Sequence, residues 1–358
     1  MRRLICCLAV ACVLPLAIVS SAALAAKETA AEQTLDPFEL WRKGALRGAN
    51  VMPPSDTVAN LRVLRSWGAN LAEIAVMDMY DPRPPYSLRP AALEELDRAV
   101  SAAEQAGLFV ALTCRTGPGR ADFESSDEIW TDPEAQRAYA RMWAHLARHY
   151  QGRKVIDGYD LMCEPHPPDE HVETWNALAK QVTAAIRRVD LHTPILVNAT
   201  GWAYPEMFDQ LEPTGDKRTV YVVHFYAPHY YTHQRPGDNR AYPGFVDPHR
   251  PGLAWDKRTI KETLEPVRRF QLKHGVAIFA GEFGCARYAP GAVDWLRDQM
   301  DLYEEYGWSW AYWDLRGWHV MDIEMTADAE DRTRYPDTPL LRLFKSYFAR
   351  CKNFPAAP

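Results

Sequence analysis

What most limits the fold of this chain is a repeated alternation from residue 46 to residue 349. A short apolar run is followed by a longer stretch with apolar residues at helical spacing, and the pattern then begins again. Runs of roughly 4–8 apolar residues suit buried strands, and a period near 3.6 suits amphipathic helices. Residues 46–51, 70–76, 108–114, 158–163, 194–198, 219–226, 276–280 and 308–313 read as strands. Residues 57–67, 90–106, 132–150, 171–188, 204–210, 257–274, 292–306 and 340–349 read as the helices that follow them. The punctuation agrees, with Pro90 at a helix start, Gly107 at its close and Asp132-Pro133 opening the next. Eight strand–helix units predict an α/β chain whose parallel sheet closes on itself, a (β/α)8 TIM barrel. An open doubly wound sheet is the alternative. It usually has fewer units and a glycine-rich phosphate turn, and no G-x-G-x-x-G follows the first run.

No Gly/Ser tract, charge block or low-complexity segment interrupts residues 41–352, so they read as one domain, a size ordinary for such a barrel. Residues 26–40 read as a loose leader and residues 1–25 as a signal peptide. Met1-Arg2-Arg3 is the basic start, 4–19 the apolar run and Ala23-Leu24-Ala25 the cleavage site. A membrane anchor would need about 20 uninterrupted apolar residues, and Pro15 breaks this run. Lipid attachment at Cys12 is a weaker alternative, since Ala9-Val10-Ala11 is a poor lipobox. The expectation is a secreted or periplasmic monomer with no stable membrane span. Cys6, Cys7 and Cys12 leave with the signal; Cys114, Cys163, Cys285 and Cys351 are too few for a disulfide framework and too widely spaced for a zinc ribbon. Cys114 and Cys163 end neighbouring strands, so they are either a disulfide or two buried thiols. The net charge of −6 argues against nucleic acid as a partner.

Barrel chemistry sits at the C-terminal ends of the strands. Those ends show Glu164 after Tyr-Asp-Leu-Met-Cys, and Glu282 after Ile-Phe-Ala-Gly. A carboxylate directly after an apolar strand is costly unless it is paired or functional. Either one alone reads equally well as a salt-bridged strand end. Together, on strands four and seven, they would face each other across the barrel mouth, the arrangement that two-carboxylate glycoside hydrolysis requires. His224, His229, His233 and His249 lack tight ligand spacing, so neither a metal nor any other cofactor is expected.

Four segments carry a family resemblance: Asp160-Leu-Met-Cys-Glu164-Pro165, His224-Phe-Tyr226, Gly281-Glu282-Phe-Gly284 and Trp308-Ser-Trp-Ala-Tyr-Trp313. In order and strand position the chain resembles glycoside hydrolase family 5, the cellulase-like family. The resemblance implies a retaining β-glycosidase acting on β-linked polysaccharide or oligosaccharide. Glu164 would be its acid/base, Glu282 its nucleophile, His224 and Tyr226 supports of the site, and Trp313 the sugar platform. Trp202, Tyr230, Tyr231 and Trp318 follow strand ends and either line the cleft or pack in loops. A non-catalytic sugar-binding barrel and a metal-dependent barrel hydrolase are the alternatives, and the glutamate pair argues against the first.

Three departures from the family stand out. Cys163 occupies the place of an Asn whose amide would bond the sugar 2-hydroxyl; a thiol is a weak donor and acceptor. The run Asn70-Leu-Ala-Glu73-Ile-Ala puts a negative charge where the family has Arg. On strand three Arg115 stands at a usual His position. Either Arg115 takes over the missing positive role with Glu73 paired to it, or it is an exposed loop arginine.

Overall fold

The computed structural model describes residues 36–121, 124–168 and 172–355. Its strands are β1 (Arg47–Val51), β2 (Leu71–Val76), β3 (Phe109–Cys114), β4 (Ile156–Asp160), β5 (Ile195–Asn198), β6 (Thr219–Phe225), β7 (Ala277–Phe283) and β8 (Ser309–Tyr312). All pair in parallel, each with its sequence neighbour, and β8 pairs back onto β1 to close the barrel. Every strand residue is buried, because the outer face is covered by helices and the lumen is filled by side chains.

The main helices are α1 (Pro37–Arg42), α2 (Val58–Ser66), α3 (Pro90–Ala106), α4 (Pro133–Tyr150), α5 (Val172–Arg187), α6 (Lys257–Thr263), α7 (Glu265–His274), α8 (Ala292–Tyr306) and α9 (Pro339–Phe348). Local signals set their ends. Thr57 and Asp132 accept from backbone N–H groups of their own first turns. Gly107 closes α3 at φ 74°, a conformation that suits a residue without Cβ.

Two differences from the sequence pattern have plain causes. The helix expected over 257–274 divides at Leu264, because Pro266 lacks an N–H and its ring does not fit inside a continuous helix. The expected leader already contains helix α1. Leu40 and Trp41 of α1 are buried in a cluster with Leu46, Leu71, Phe109, Leu196, Val220 and Phe279, side chains near the N-terminal ends of the strands. The helix therefore closes the bottom of the barrel, and the compact unit that holds the barrel takes in Pro37 to Leu40 as well as the residues from 41 onward. The expected signal peptide lies outside the described residues. Among the described residues no helix is long and apolar enough to cross a membrane.

Candidate active site

The pairing of β6 with β7 sets up the centre of the site. A register shift between Val223 and His224 brings His224 opposite Glu282, so an imidazole and a carboxylate from adjacent strands share the lumen at its C-terminal end. Glu282 lies inside β7, which runs three strand positions further than its apolar run suggested. Three side chains reach its carboxylate. Tyr226 donates from its hydroxyl to Oε2 at 3.1 Å, Arg115 donates from Nη2 to Oε1, and the Cys163 thiol stands 3.6 Å from Oε1.

Arg115 is therefore not an exposed loop arginine. It is 8 % exposed, and its guanidinium lies 4.6 Å over the ring of Trp313. Burial would push the Glu282 carboxyl up. The charges of His224 and Arg115 and the hydrogen bonds from Arg115 and Tyr226 outweigh it and hold the group below its ordinary value.

Glu164 lies past the end of β4, part-exposed to the cleft, and its backbone takes φ 49°. That left-handed conformation strains a residue with a Cβ, so neighbours must impose it. The Asn198 side-chain oxygen accepts from Glu164 N at 3.2 Å. The fully buried Arg120 donates from Nη2 to the carbonyls of Cys163 and Glu164, at 2.5 and 3.3 Å. His224 Nδ1 lies 2.9 Å from Glu164 Oε1 and 3.7 Å from Glu282 Oε2, so one imidazole nitrogen stands between the two carboxylates. Burial pulls the His224 pKa down, but the two glutamates beside it raise it overall.

Glu73 does not pair with Arg115, the pairing that one of the two readings of the sequence offered. Its neighbour is Asp160 on β4, with which it shares a hydrogen bond beneath the site. Asp160 in turn accepts from Thr113 Oγ1 at 3.0 Å and from Asn198 Nδ2 at 2.7 Å. Burial and the charges of Asp160 and Glu282 push the Glu73 carboxyl well up. A neutral Glu73 supplies the O–H that two facing carboxylates would otherwise lack, and this accounts for a buried Glu73 Oε2 without a donor of its own.

These groups open into a cleft of about 550 Å³ lined by Arg115, Glu164, Trp202, Tyr204, Tyr226, His229, His233, Glu282 and Trp313. Of the residues the sequence placed at the site, Arg115, Glu164, Trp202, Tyr226, Glu282 and Trp313 line it, Cys163 and His224 lie against the glutamates, and Glu73, Tyr230, Tyr231 and Trp318 are outside its lining. Trp202 stacks on His166 with ring centroids 4.5 Å apart. His229 and His233 stack at 3.7 Å, and Trp318 lies 5.7 Å from His233. Tyr231 belongs to the core, with its ring against Trp295, and Tyr230 points outward to bond His249. The peptide joining Trp313 to Asp314 is cis. Cys114 and Cys163 are free thiols rather than a disulfide, each turned to its own oxygen.

Arg120 and Asn198 escaped the sequence reading. Arg120 follows Thr116-Gly-Pro-Gly after β3, and an arginine in a glycine-rich loop at a strand's C-terminal end was the available signal. Asn198, at the end of β5, is wholly buried with its amide committed on both sides.

Residues 32–317 match the profile described as cellulase, glycosyl hydrolase family 5. The chain belongs to that family. It is a glycoside hydrolase, and the β-glycosidic bond is what it hydrolyses. Among curated proteins it is similar to endoglucanase C of Acetivibrio thermocellus, 25% identical over 261 residues that cover 65% of this chain and 74% of the relative. It is also similar to a beta-xylosidase of Phanerodontia chrysosporium, 24% identical over 291 residues covering 75% of this chain and 56% of that one. Among solved structures, endoglucanase Cel5A of Thermotoga maritima shares the fold with a TM-score of 0.69 at 21% identity, covering 87% of this chain and 100% of that one.

Proposed function

We propose that this family member is a secreted retaining β-glycosidase, with Glu282 as nucleophile and Glu164 as acid/base, acting on β-linked polysaccharide or oligosaccharide. The observation that carries the reading is the place of His224 Nδ1, 2.9 Å from one glutamate and 3.7 Å from the other. Even end to end, those contacts barely reach the bottom of the roughly 6.5–9.5 Å range of inverting enzymes, while they easily span the roughly 5–5.5 Å of retaining ones.

In the first step Glu282 attacks the anomeric carbon as Glu164 gives its proton to the glycosidic oxygen, so the leaving sugar departs neutral. In the second, Glu164 takes a proton from water, whose oxygen displaces Glu282 from the same carbon. The environments suit these roles. Glu282 is held ionised by Arg115 and Tyr226, while Glu164 faces the cleft, where a proton can be renewed from water. Trp313, with Arg115 on its ring, offers an apolar face to a sugar bound between the glutamates.

Proton magnetic resonance of the first product tests the reaction. The β anomer is expected from a β-linked substrate, and initial release of the α anomer would exclude retention. A 2-deoxy-2-fluoroglycoside with a good leaving group is expected to label the peptide that carries Glu282. A screen over β-glucans, mannans, xylans and aryl glycosides then identifies the sugar.

A further inference from the structure

The proposed reaction gives no task to the thiol of Cys163, although it stands against the nucleophile. Its Sγ is 3.6 Å from Glu282 Oε1, and His224 Nδ1 is 3.7 Å from Glu282 Oε2. The sulfur, the imidazole nitrogen and a carboxylate oxygen all lie within 4.8 Å of one another, and all three residues are buried. A tetrahedral zinc ion with Zn–S near 2.3 Å and Zn–N or Zn–O near 2.0–2.2 Å separates its ligand atoms by roughly 3.3–3.6 Å. The sulfur–Oε1 and imidazole–Oε2 spacings are each close to this but fall on the two oxygens of one carboxylate, so a modest side-chain rotation is needed to bring a single oxygen, the sulfur and the nitrogen onto one ion. We propose that Cys163, His224 and Glu282 form a zinc-binding site, with Glu164 beside them as fourth ligand, and that the ion blocks the cleft instead of serving the reaction.

The donor set and the charge both favour such an ion. Sulfur, imidazole nitrogen and carboxylate oxygen are the ligands zinc takes in proteins, and an Asn at position 163 would not supply the sulfur. A Cys163 thiolate and the carboxylates of Glu164 and Glu282, set against the single guanidinium of Arg115, leave two negative charges to meet a dication. The thiol loses its proton to solvent as the Zn–S bond forms, as does His224 any proton on its coordinating nitrogen. Glu164 Oε1, 2.9 Å from the same imidazole nitrogen, stands at the open side of the cluster toward the cleft. An ion held there occupies both carboxylates, which ties the blocking effect, though not the binding itself, to the roles proposed for them.

The test is calorimetric titration of the metal-free protein with Zn2+, together with the absorption spectrum of its Co2+ form. One ion per chain and a thiolate-to-cobalt charge-transfer band are expected. Cys163→Ser and Cys163→Asn, each shown by circular dichroism to be folded, are expected to weaken uptake at least tenfold and abolish the band. Cys351→Ser, which alters the one thiol among the described residues that is not buried, is expected to keep both. No uptake by the unaltered protein, or uptake unchanged in Cys163→Ser, overturns the site. Saturable inhibition of hydrolysis by Zn2+ but not Mg2+, relieved in Cys163→Asn, is expected as well. A band with full hydrolysis would keep the metal site and instead overturn the role given to Glu282.

Discussion

Arg115, just beyond β3, sets its guanidinium against Oε1 of Glu282, which stands four strands away on β7. A barrel permits this because strand ends distant in sequence converge on one mouth. On the proposed reading, the positive charge that the family resemblance places near the end of β2 would here come from β3. Arg115→Lys keeps the charge but loses the planar fork that bonds a carboxylate while lying flat on Trp313. Its kcat/KM is expected to fall about tenfold or more, ~1.4 kcal/mol of transition-state stabilisation. Unchanged kinetics in Arg115→Ala would remove Arg115 from the site.

The same contact has a pH signature. Burial raises the Glu282 carboxyl, and His224, Arg115 and Tyr226 together depress it. If Glu282 must be ionised to attack, the acid limb of kcat/KM follows its pKa in the free enzyme. Removing Arg115 withdraws part of the depression, so the acid limb of Arg115→Ala is expected to move to higher pH. A limb that stays in place, or moves down, would mean that another group sets it.

Cys163→Asn restores an amide that can donate to the sugar 2-hydroxyl, a bond that strengthens toward the transition state. With zinc removed by chelation, its kcat/KM on β-glucosides is expected to rise about tenfold. A fall would show that the thiol suits this chain's own substrate better, and the panel of sugars would then be rescreened with the variant.

Below the site, Glu73 and Asp160 share a hydrogen bond, and both carboxyls are raised chiefly by burial. The sign of the linkage follows from that direction. A group with a raised folded pKa contributes stability that is fully present below its unfolded value, near 4, and is lost as pH climbs toward the folded value. Gln at position 73 keeps a donor for Asp160 but does not titrate. Glu73→Gln is therefore expected to gain stability relative to the unaltered protein between about pH 5 and pH 8, read as the difference in urea midpoints. An equal difference at both ends would show that Glu73 does not carry the pH dependence.

Most of the barrel was legible because buried parallel strands and amphipathic helices have different periods, and the chain keeps each period cleanly. Glu164 and Glu282 were legible for a related reason, as charges placed where an apolar strand ends. What stayed hidden needed contacts between elements. Nothing near Glu73 in the chain shows that Asp160, on β4, faces it, so an ion pair with Arg115 looked equally reasonable. Nothing beside Asn198 in the chain shows that it would bond Asp160 of β4 and the backbone of Glu164 just beyond that strand. Helix α1 is too short to show a period, and only the barrel's need for a floor reveals its purpose.

That floor leads to a prediction far from the chemistry. Trp41 of α1 is fully buried, its indole Nε1 donates to the Asp157 carbonyl on β4 at 2.8 Å, and its ring meets Phe279 of β7 edge-on at 5.0 Å. The helix therefore ties two opposite sides of the barrel together through one side chain. Trp41→Ala removes the ring and leaves a cavity that rigid strands cannot collapse into, so it is expected to cost about 3–5 kcal/mol. Trp41→Phe keeps most of the ring but leaves the buried Asp157 carbonyl without its indole donor, and is expected to cost about 1–3 kcal/mol. Urea unfolding of the two variants checks both values, and the kcat/KM of whatever remains folded should be nearly unchanged, since the glutamates sit at the other end of the barrel. A Trp41→Ala protein as stable as its parent would mean that the barrel holds its floor without α1, and that the domain does begin near β1.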